Sequence, residues 1–67
     1  MEMIGVSSRA MIAVGYDKDR QQLHIQFKQG GQIYSYCRVP QSIHQALMSA
    51  ISKGGYYDRF IKDKFTC

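Results

Sequence analysis

An alternation of apolar and polar residues in the middle of the chain predicts a β-strand with one buried face. Leu23, Ile25 and Phe27 alternate there with polar side chains, and a strand turns successive residues to opposite faces. The apolar run over residues 11–16 predicts a strand before it. The run over 33–39, rich in residues that suit a pleated sheet, predicts a strand after it. We therefore expect three consecutive strands.

Short turn sequences separate these strands and set their direction. The polar segment 17–20, with two aspartates, joins the first strand to the second. Between the second and the third, Gly30 and Gly31 suit the positive-φ positions of a tight hairpin, because glycine has no Cβ to clash there. The predicted sheet is therefore an antiparallel meander.

The orientation of the third strand stays open between two alternatives. By the period of two, one of its faces carries Tyr34, Tyr36 and Arg38. If that face points outward, two aromatic rings and a guanidinium lie in a row on the surface. If it points inward, the tyrosines lie beneath a helix, and the face in water carries Ile33, Ser35 and Cys37. Paired tyrosines in a small domain favour the inward orientation, with their hydroxyl groups at the edge of the core.

Helical spacing replaces strand spacing after Val39-Pro40. Proline lacks the N–H that a sheet needs, and it suits the first turn of a helix. The following helix has an apolar stripe formed by Ile43, Leu47, Ala50 and Ile51. We expect it to end in the segment 52–55, with Gly54 in the left-handed conformation that follows many helices. A second helix is predicted to run to the C-terminus on the spacing of Tyr57, Phe60, Ile61, Lys64 and Phe65.

Strands followed by helices indicate an α+β fold, here in a single domain over residues 1–67. The predicted architecture is a three-stranded antiparallel β-meander followed by two short α-helices packed on one face. Such a sheet keeps two free edges and one uncovered face, and in a chain this small a second copy commonly covers them. We therefore expect a homo-oligomer.

The composition is that of an ordinary globular protein. Apolar residues make up 45% and charged residues 21% of the chain, so disordered and fibrous classes are excluded. The apolar run Met11–Val14 is far shorter than the ~20 residues of a membrane span, and the start of the chain lacks a signal-peptide pattern. We expect no membrane association and a cytoplasmic location, which for a phage-encoded protein is the cytoplasm of the bacterial host.

The charge balance favours an anionic partner. Nine Lys and Arg residues against five Asp and Glu residues give a formal net charge of +4 and an isoelectric point near 9.3. A positive surplus raises the local concentration of anions, although it also serves plain solubility.

The cysteines and histidines form no pattern typical of a metal site. Cys37 lies in a predicted strand and Cys67 is the last residue, so without a secretory context we expect both thiols to be reduced. His24 and His44 lie far apart in sequence on different predicted elements, which gives no metal-ligand spacing. We expect no metal and no cofactor.

No arrangement typical of catalysis stands out in the sequence. Neighbouring strands would allow a Cys37 nucleophile beside His24, but no third group follows to orient the pair. On a helix, Asp58 and Asp63 would point in nearly opposite directions. The sequence therefore predicts a protein that is not an enzyme.

The segment Ser52–Gly55 is the strongest candidate for binding. It leads into the second helix, and the free N–H groups at a helix start attract anions. Lys53 adds a positive charge, and Gly54 and Gly55 let a ligand approach the main chain. The alternative is an ordinary turn between two helices with a glycine cap.

Aromatic and basic residues around this segment favour a nucleotide as the ligand. Tyrosine rings stack on bases, while Arg and Lys contact phosphates. The candidate ligand-binding residues are Ser8, Arg9, Tyr34, Tyr36, Arg38, Lys53, Gly54, Gly55, Tyr56, Tyr57 and Arg59. The alternative is a solvated cationic helix face above tyrosines that belong to the core.

A series of short motifs resembles the KTSC domain family in order and spacing. Between Val6 and Phe65 the motifs are Ser8, Gly15-Tyr16, Leu23-x-Ile25-x-Phe27, Gly30-Gly31, Tyr34-x-Tyr36, Val39-Pro40, Leu47, Ser52-Lys53-Gly54 and Tyr56-Tyr57. The family is a small module that occurs alone in bacterial and phage proteins and at the C-terminus of some lysyl-tRNA synthetases. The resemblance implies RNA binding through that fusion, and the lack of a synthetase domain in this sequence weakens the implication for tRNA.

We therefore expect a non-catalytic nucleotide-binding module. In one version an oligomer encloses a small cyclic-nucleotide signal in pockets between subunits, by analogy with small phage proteins that sequester immune nucleotide signals. In a second version an open basic surface binds RNA. A third version is a protein-interaction module that uses a free sheet edge. A charge of +4 is modest for a polyanion binder and favours the first version, and we expect no sequence-specific DNA recognition.

Overall fold

Four antiparallel strands and two helices make up the fold in the computed structural model, which describes residues 2–67. The elements are β1 (Met3–Gly5), β2 (Met11–Asp17), β3 (Gln22–Phe27), β4 (Ile33–Tyr36), α1 (Gln41–Ser49) and α2 (Lys53–Phe60). The strands form one sheet in the order β1-β2-β3-β4. The α+β class, the meander and the order of strands before helices are confirmed, while the sheet has one strand more than predicted.

The additional strand, β1, pairs antiparallel with β2. Met3 lies opposite Gly15, and Gly5 lies opposite Ala13. Three residues are too few for a recognisable alternation of apolar and polar positions. Its central residue, Ile4, stays 51% exposed at the sheet edge, so no buried face marks this strand in the sequence.

One face of the sheet and the two helices enclose the core. The fully buried residues are Met11, Val14, Leu23, Ile25, Val39, Leu47 and Ile61. Val14 lies opposite Ile25 in the pairing of β2 with β3, and residues directly opposite each other share a sheet face. The predicted alternation in β3 is confirmed, because Leu23 and Ile25 are both buried.

β4 turns its tyrosines toward the face that the helices cover. Tyr34 lies opposite Ile25, and Tyr36 lies opposite Leu23, so both tyrosines share the core face of the sheet. The structure therefore has the inward orientation. The strand ends at Tyr36 and not at residue 39, because Arg38 has a φ of 58°, which a strand residue does not adopt.

The junction between the helices differs from the prediction. α1 ends at Ser49, and Ala50 follows in an extended conformation, so no left-handed glycine closes this helix. Gly54 instead lies in the first turn of α2, where a Cβ would be 3.2 Å from the Cβ of Ala10. The glycine therefore permits a close approach of α2 to the chain before β2. Neither helix within residues 2–67 has the length and apolar character that a membrane crossing requires.

A turn and a disulfide, instead of a helix, form the C-terminal segment. α2 ends at Phe60, and Asp63 has a φ of 62° in the turn that follows. Cys37, just after β4, is bonded to Cys67, with 4.8 Å between their Cα atoms. The expectation that both thiols are reduced is therefore wrong for this structure. The pair forms because the C-terminus returns to the end of β4, and spacing in the sequence does not reveal such proximity.

Candidate ligand groove

Two adjoining recesses open where the loop between β1 and β2 meets the end of β3 and the start of α2. The first has a volume of about 800 Å³, and its lining includes Ser8, Arg9, Lys28, Ile51, Lys53 and Gly54. The second has a volume of about 690 Å³ and is lined by Arg9, Ala10, Phe27, Lys28, Gln29 and Tyr34. Because Arg9, Ala10 and Lys28 line both, we treat the two recesses as one surface feature, the Arg9–Lys28 groove.

Main-chain contacts hold the two cationic residues of this groove next to each other. The Ser8 hydroxyl accepts hydrogen bonds from the N–H groups of Ala10 and Met11, at 3.1 and 3.3 Å, which shapes the loop around Arg9. The N–H of Lys28 donates to the carbonyl of Ala10 at 3.0 Å. This bond ties the end of β3 to the loop, so Arg9 and Lys28 emerge side by side.

The start of α2 forms one end of the groove. The Ser52 hydroxyl caps this helix by accepting a hydrogen bond from the N–H of Gly55 at 3.1 Å. The predicted cradle is thus partly occupied by the protein itself, because the Gly55 amide is already used. Among residues 2–67 no acceptor pairs with the N–H groups of Lys53 and Gly54, which are the first two of the helix.

Positive charge dominates the groove. Arg9, Lys28 and Lys53 all line it, and none of the residues that line the two recesses is an aspartate or a glutamate. The ammonium of Lys53 donates to the carbonyl of Ala50 at 3.2 Å, which holds this side chain near the helix start. A concave surface with cations and without carboxylates concentrates anions.

An aromatic wall forms the other end of the groove. The rings of Phe27 and Tyr34 meet edge to face with 5.6 Å between their centroids. Tyr34 is 50% exposed, and its hydroxyl donates to the side-chain carbonyl of Gln32 at 2.7 Å. The ring therefore has a fixed position and an accessible surface, as a stacking platform for a planar ligand requires.

Two other predicted tyrosines pack against each other beneath α2. The hydroxyl oxygens of Tyr36 and Tyr57 lie 2.7 Å apart, and Tyr57 also meets the Phe27 ring at 5.2 Å. Burial and, as the next cause, the hydrogen bond to Tyr57 raise the pKa of Tyr36 above its usual value. Neither tyrosine lines the groove.

The remaining predicted residues lie outside the two recesses. Tyr56 packs on Phe60, with 4.7 Å between the ring centroids. Arg38, Gly55 and Arg59 also line neither recess. Of the predicted set, the groove therefore brings together Ser8, Arg9, Tyr34, Lys53 and Gly54.

Among the charged and aromatic residues that line the groove, sequence reasoning missed two, Phe27 and Lys28. In the strand pattern, Phe27 counts as a core residue and Lys28 as an ordinary polar neighbour. Only the contact between Lys28 and Ala10 reveals that the end of β3 lies beside Arg9. This contact joins segments far apart in the chain, so no local pattern in the sequence predicts it.

Other polar groups are engaged away from the groove. The Cys37 sulfur is bonded to Cys67, and His24 Nδ1 shares a hydrogen bond of 2.8 Å with the Ser35 hydroxyl, so the two do not form a nucleophile and base pair in this structure. His44 stacks on Tyr16 with 4.6 Å between ring centroids, and burial lowers the pKa of this imidazole. Among residues 2–67, no group of three His, Cys, Asp or Glu side chains is placed to hold a metal ion.

Comparison with known proteins gives consistent matches over most of the chain. A crystal structure of a KTSC domain protein from Yersinia pestis is 45% identical and superimposes with a TM-score of 0.93, covering 98% of this chain and 92% of that chain. An uncharacterized protein of Stutzerimonas stutzeri is 32% identical over 62 residues, which are 92% of this chain and 86% of that protein. A lysine–tRNA ligase of Nostoc punctiforme is 42% identical over 50 residues, which are 75% of this chain but only 9% of the ligase.

The family model that matches describes the KTSC domain, and it covers residues 7–65. This range contains every element of the fold except β1. It also contains Arg9, Lys28, Tyr34 and Lys53, and of the residues that line the groove it leaves out Val6 alone. The resemblance noted in the sequence is confirmed, and the chain belongs to the KTSC domain family.

Proposed function

We propose that this protein is a non-catalytic nucleotide-binding module and that the Arg9–Lys28 groove is its site. One observation is the main support for this proposal. Three cationic side chains, two free main-chain N–H groups and an accessible aromatic ring line a single concave surface that contains no carboxylate. Each of these groups matches one part of a nucleotide.

The groove has a phosphate end and a base end. Lys53, Arg9 and Lys28 supply positive charge, and the N–H groups at the start of α2 supply donors for phosphate oxygens. Arg9 suits this role because its planar guanidinium can donate two parallel hydrogen bonds to one phosphate. At the other end the ring of Tyr34 is available to stack on a base. Since Arg9 and Lys28 line both recesses, a phosphate beside them is within reach of either end.

A second copy of the protein would complete this site. The groove is open on one side, so a small ligand in a single subunit would keep much of its surface in water. Ile51, which lines the first recess, is fully exposed, so a second copy that covered it would remove apolar surface from water. We propose that a homo-oligomer in the cytoplasm encloses a small cyclic-nucleotide signal between subunits, where the ligand's repeated phosphates meet cations from more than one copy.

RNA binding is the alternative, and one comparison favours it. Several relatives carry the name lysine–tRNA ligase, which is an enzyme that acts on an RNA, although this chain covers a small fraction of their length. An open basic groove with an aromatic wall also suits single-stranded RNA. In that version the subunit acts alone, and successive nucleotides extend beyond the groove along the surface.

Two titrations separate these versions. Thermal shift against a panel of cyclic dinucleotides and trinucleotides should raise the melting temperature with one member of the panel, because a ligand that binds only the folded state stabilises it by mass action. A labelled single-stranded RNA, titrated at two salt concentrations, should bind weakly. The opposite result, no shift with any cyclic nucleotide and RNA affinity that falls steeply with salt, would establish the RNA version. Absence of both effects at micromolar concentration would refute nucleotide binding altogether.

A further inference from the structure

The outer strand β4 has a free edge whose polar groups can be assigned from its pairing. The N–H of Phe27 donates to the carbonyl of Gln32, and Tyr34 lies opposite Ile25 in the strand that follows. Hydrogen-bonded and non-bonded pairs alternate along an antiparallel ladder. The main-chain groups of Tyr34 therefore point toward β3, and those of Ile33 and Ser35 point away from the sheet. β4 is the last strand in the sheet order, so these groups lie at its free edge.

The C-terminal residue obstructs half of this edge. The Cys67 sulfur lies 3.7 Å from the carbonyl oxygen of Ser35. Since this sulfur is bonded to Cys37, it has no hydrogen to donate, and the contact leaves the Ser35 carbonyl without a strong partner from Cys67. The disulfide thus holds the end of the chain against the place where a further strand would pair.

The free edge is complementary to itself. If two copies of β4 pair antiparallel about a two-fold axis at Tyr34, the N–H of Ile33 meets the carbonyl of the second copy's Ser35. The N–H of Ser35 then meets the carbonyl of the second copy's Ile33, and the symmetry repeats both bonds. Partial positive charge on each N–H faces partial negative charge on each carbonyl. Every one of these bonds needs Ser35, and the Cys67 sulfur contacts the carbonyl oxygen of this residue.

The side chains of β4 offer no barrier to such pairing. Natural edge strands are commonly protected by proline or by a lysine, and β4 contains neither. Ile33 is 53% exposed and Tyr34 is 50% exposed, so pairing would remove apolar surface from water on both sheet faces. The strand is therefore protected mainly at one end, by the disulfide.

We propose that the free edge of β4 is an interface for a second copy of this chain, and that the Cys37–Cys67 disulfide is a redox-sensitive latch that keeps it closed. Reduction releases Cys67 from the edge, and two copies then join their sheets through β4. Tyr34 lines the groove and lies at the centre of this interface. The Tyr34 side chain and the groove of the second copy thereby lie next to the groove of the first copy.

The reduction step needs an external dithiol, which we name as the reductant. Its thiolate attacks the sulfur of Cys67, the more exposed of the two cysteines, and the Cys37 sulfur leaves as a thiolate and takes up a proton. The second thiol of the reductant then displaces Cys67 from the mixed disulfide. The products are two protein thiols and the oxidised, cyclic form of the reductant.

The mass in solution tests this proposal without any nucleotide, so its outcome is independent of what the groove binds. Light scattering after gel filtration should give a monomer for the oxidised protein and a dimer after treatment with dithiothreitol. Cys67→Ser should be a dimer under both conditions. Ile33→Pro should stay monomeric after reduction, because its lost N–H points away from β3 and the subunit keeps its internal ladder. Ile33→Val is the matched control and should dimerise like the original protein.

Several outcomes would overturn the proposal. One is a protein that stays monomeric after reduction with its circular dichroism unchanged. Another is a mass that does not depend on the redox state. A reduced Ile33→Pro variant that still dimerises would place the interface elsewhere. A reduced chain that loses its circular dichroism signal would also count against a latch, since a latch requires the fold to survive its opening.

Discussion

The hydroxyl groups of Tyr36 and Tyr57 share a hydrogen bond of 2.7 Å that links β4 directly to α2. It lies in a partly buried position, where the rings also meet edge to face at 5.8 Å between centroids. Because α2 provides Lys53 and Gly54 to the groove, this contact helps to fix the helix that shapes the site. The structure thus gives two tyrosines of the predicted binding set a position between sheet and helix.

Loss of the Tyr57 hydroxyl should destabilise the protein without removing the fold. Tyr57→Phe leaves the Tyr36 hydroxyl without its partner, and we expect a loss of about 1 kcal/mol in the free energy of unfolding. Tyr57→Ala also removes ring contacts with Phe27 and Tyr36, and should cost about 3 kcal/mol or more. Urea unfolding measures both. Tyr34→Phe is the control, because its exposed hydroxyl bonds only to an exposed glutamine, and a loss as large as that of Tyr57→Phe would contradict this assignment.

Removal of one groove cation should weaken ligand binding and leave stability unchanged. We expect Arg9→Ala and Lys28→Ala each to reduce the affinity for the nucleotide identified by thermal shift by about tenfold, since one charged hydrogen bond contributes about 1.5 kcal/mol. Isothermal titration gives the affinities. Arg59→Ala is a matched control with the same change in net charge, because Arg59 lines neither recess. Equal losses of affinity in all three variants would mean that binding depends on the net charge of the protein and not on the groove.

Reduction of the disulfide should lower the stability of the monomer. Cys37 and Cys67 are 30 positions apart, and a cross-link across a loop of that length stabilises by about 3 to 4 kcal/mol through the restriction of the unfolded chain. Urea unfolding of Ile33→Pro with and without dithiothreitol isolates this effect, because that variant is expected to stay monomeric. Equal midpoints under the two conditions would show that the disulfide does not form in solution.

Mild acid should destabilise the protein through His44. Burial against Tyr16 lowers the pKa of this imidazole in the folded state, whereas the unfolded chain has the ordinary value near 6.5. Below pH 6.5 the unfolded state therefore binds a proton that the folded state resists, and stability falls as the pH falls. Melting temperatures between pH 7.5 and 5.5 should show this decline. His44→Phe keeps a ring on Tyr16 but cannot titrate, so an unchanged decline in this variant would exclude His44 as its origin.

The parts of the fold that the sequence predicted are those in which local pattern and burial agree. In β3 the apolar positions are the buried ones, so alternation alone locates the strand. At the other extreme, β1 has three residues and gains its place only by pairing with β2, which no local pattern records. The start of α2 differs from the prediction for another reason. In the sequence, Gly54 and Gly55 indicate the end of a helix, whereas in the structure Ser52 caps a new helix and Gly54 makes room for Ala10.

The groove was predictable only in part. The sequence predicts Lys53 and Gly54 because Lys and Gly at the start of a helix suit anions whatever the fold, and it predicts Arg9 as a further basic residue of the same surface. The sequence does not indicate that Lys28 belongs to the groove, because Lys28 lies beside Arg9 only through the hydrogen bond from its N–H to the carbonyl of Ala10. The disulfide was missed for the same reason, because it joins two ends that meet only in the folded chain. A single sequence does not reveal which of its distant segments are in contact in the folded protein.

The hydrogen bond between Lys28 and Ala10 also implies that no single segment of the chain forms the site by itself. The loop after β1, the end of β3 and the start of α2 each provide one side of the groove, and these segments come from the beginning, middle and end of the chain. A peptide excised from any one of them would carry charges but no concavity. We therefore expect proteolytic nicking at any of the three segments to abolish ligand binding and global folding together.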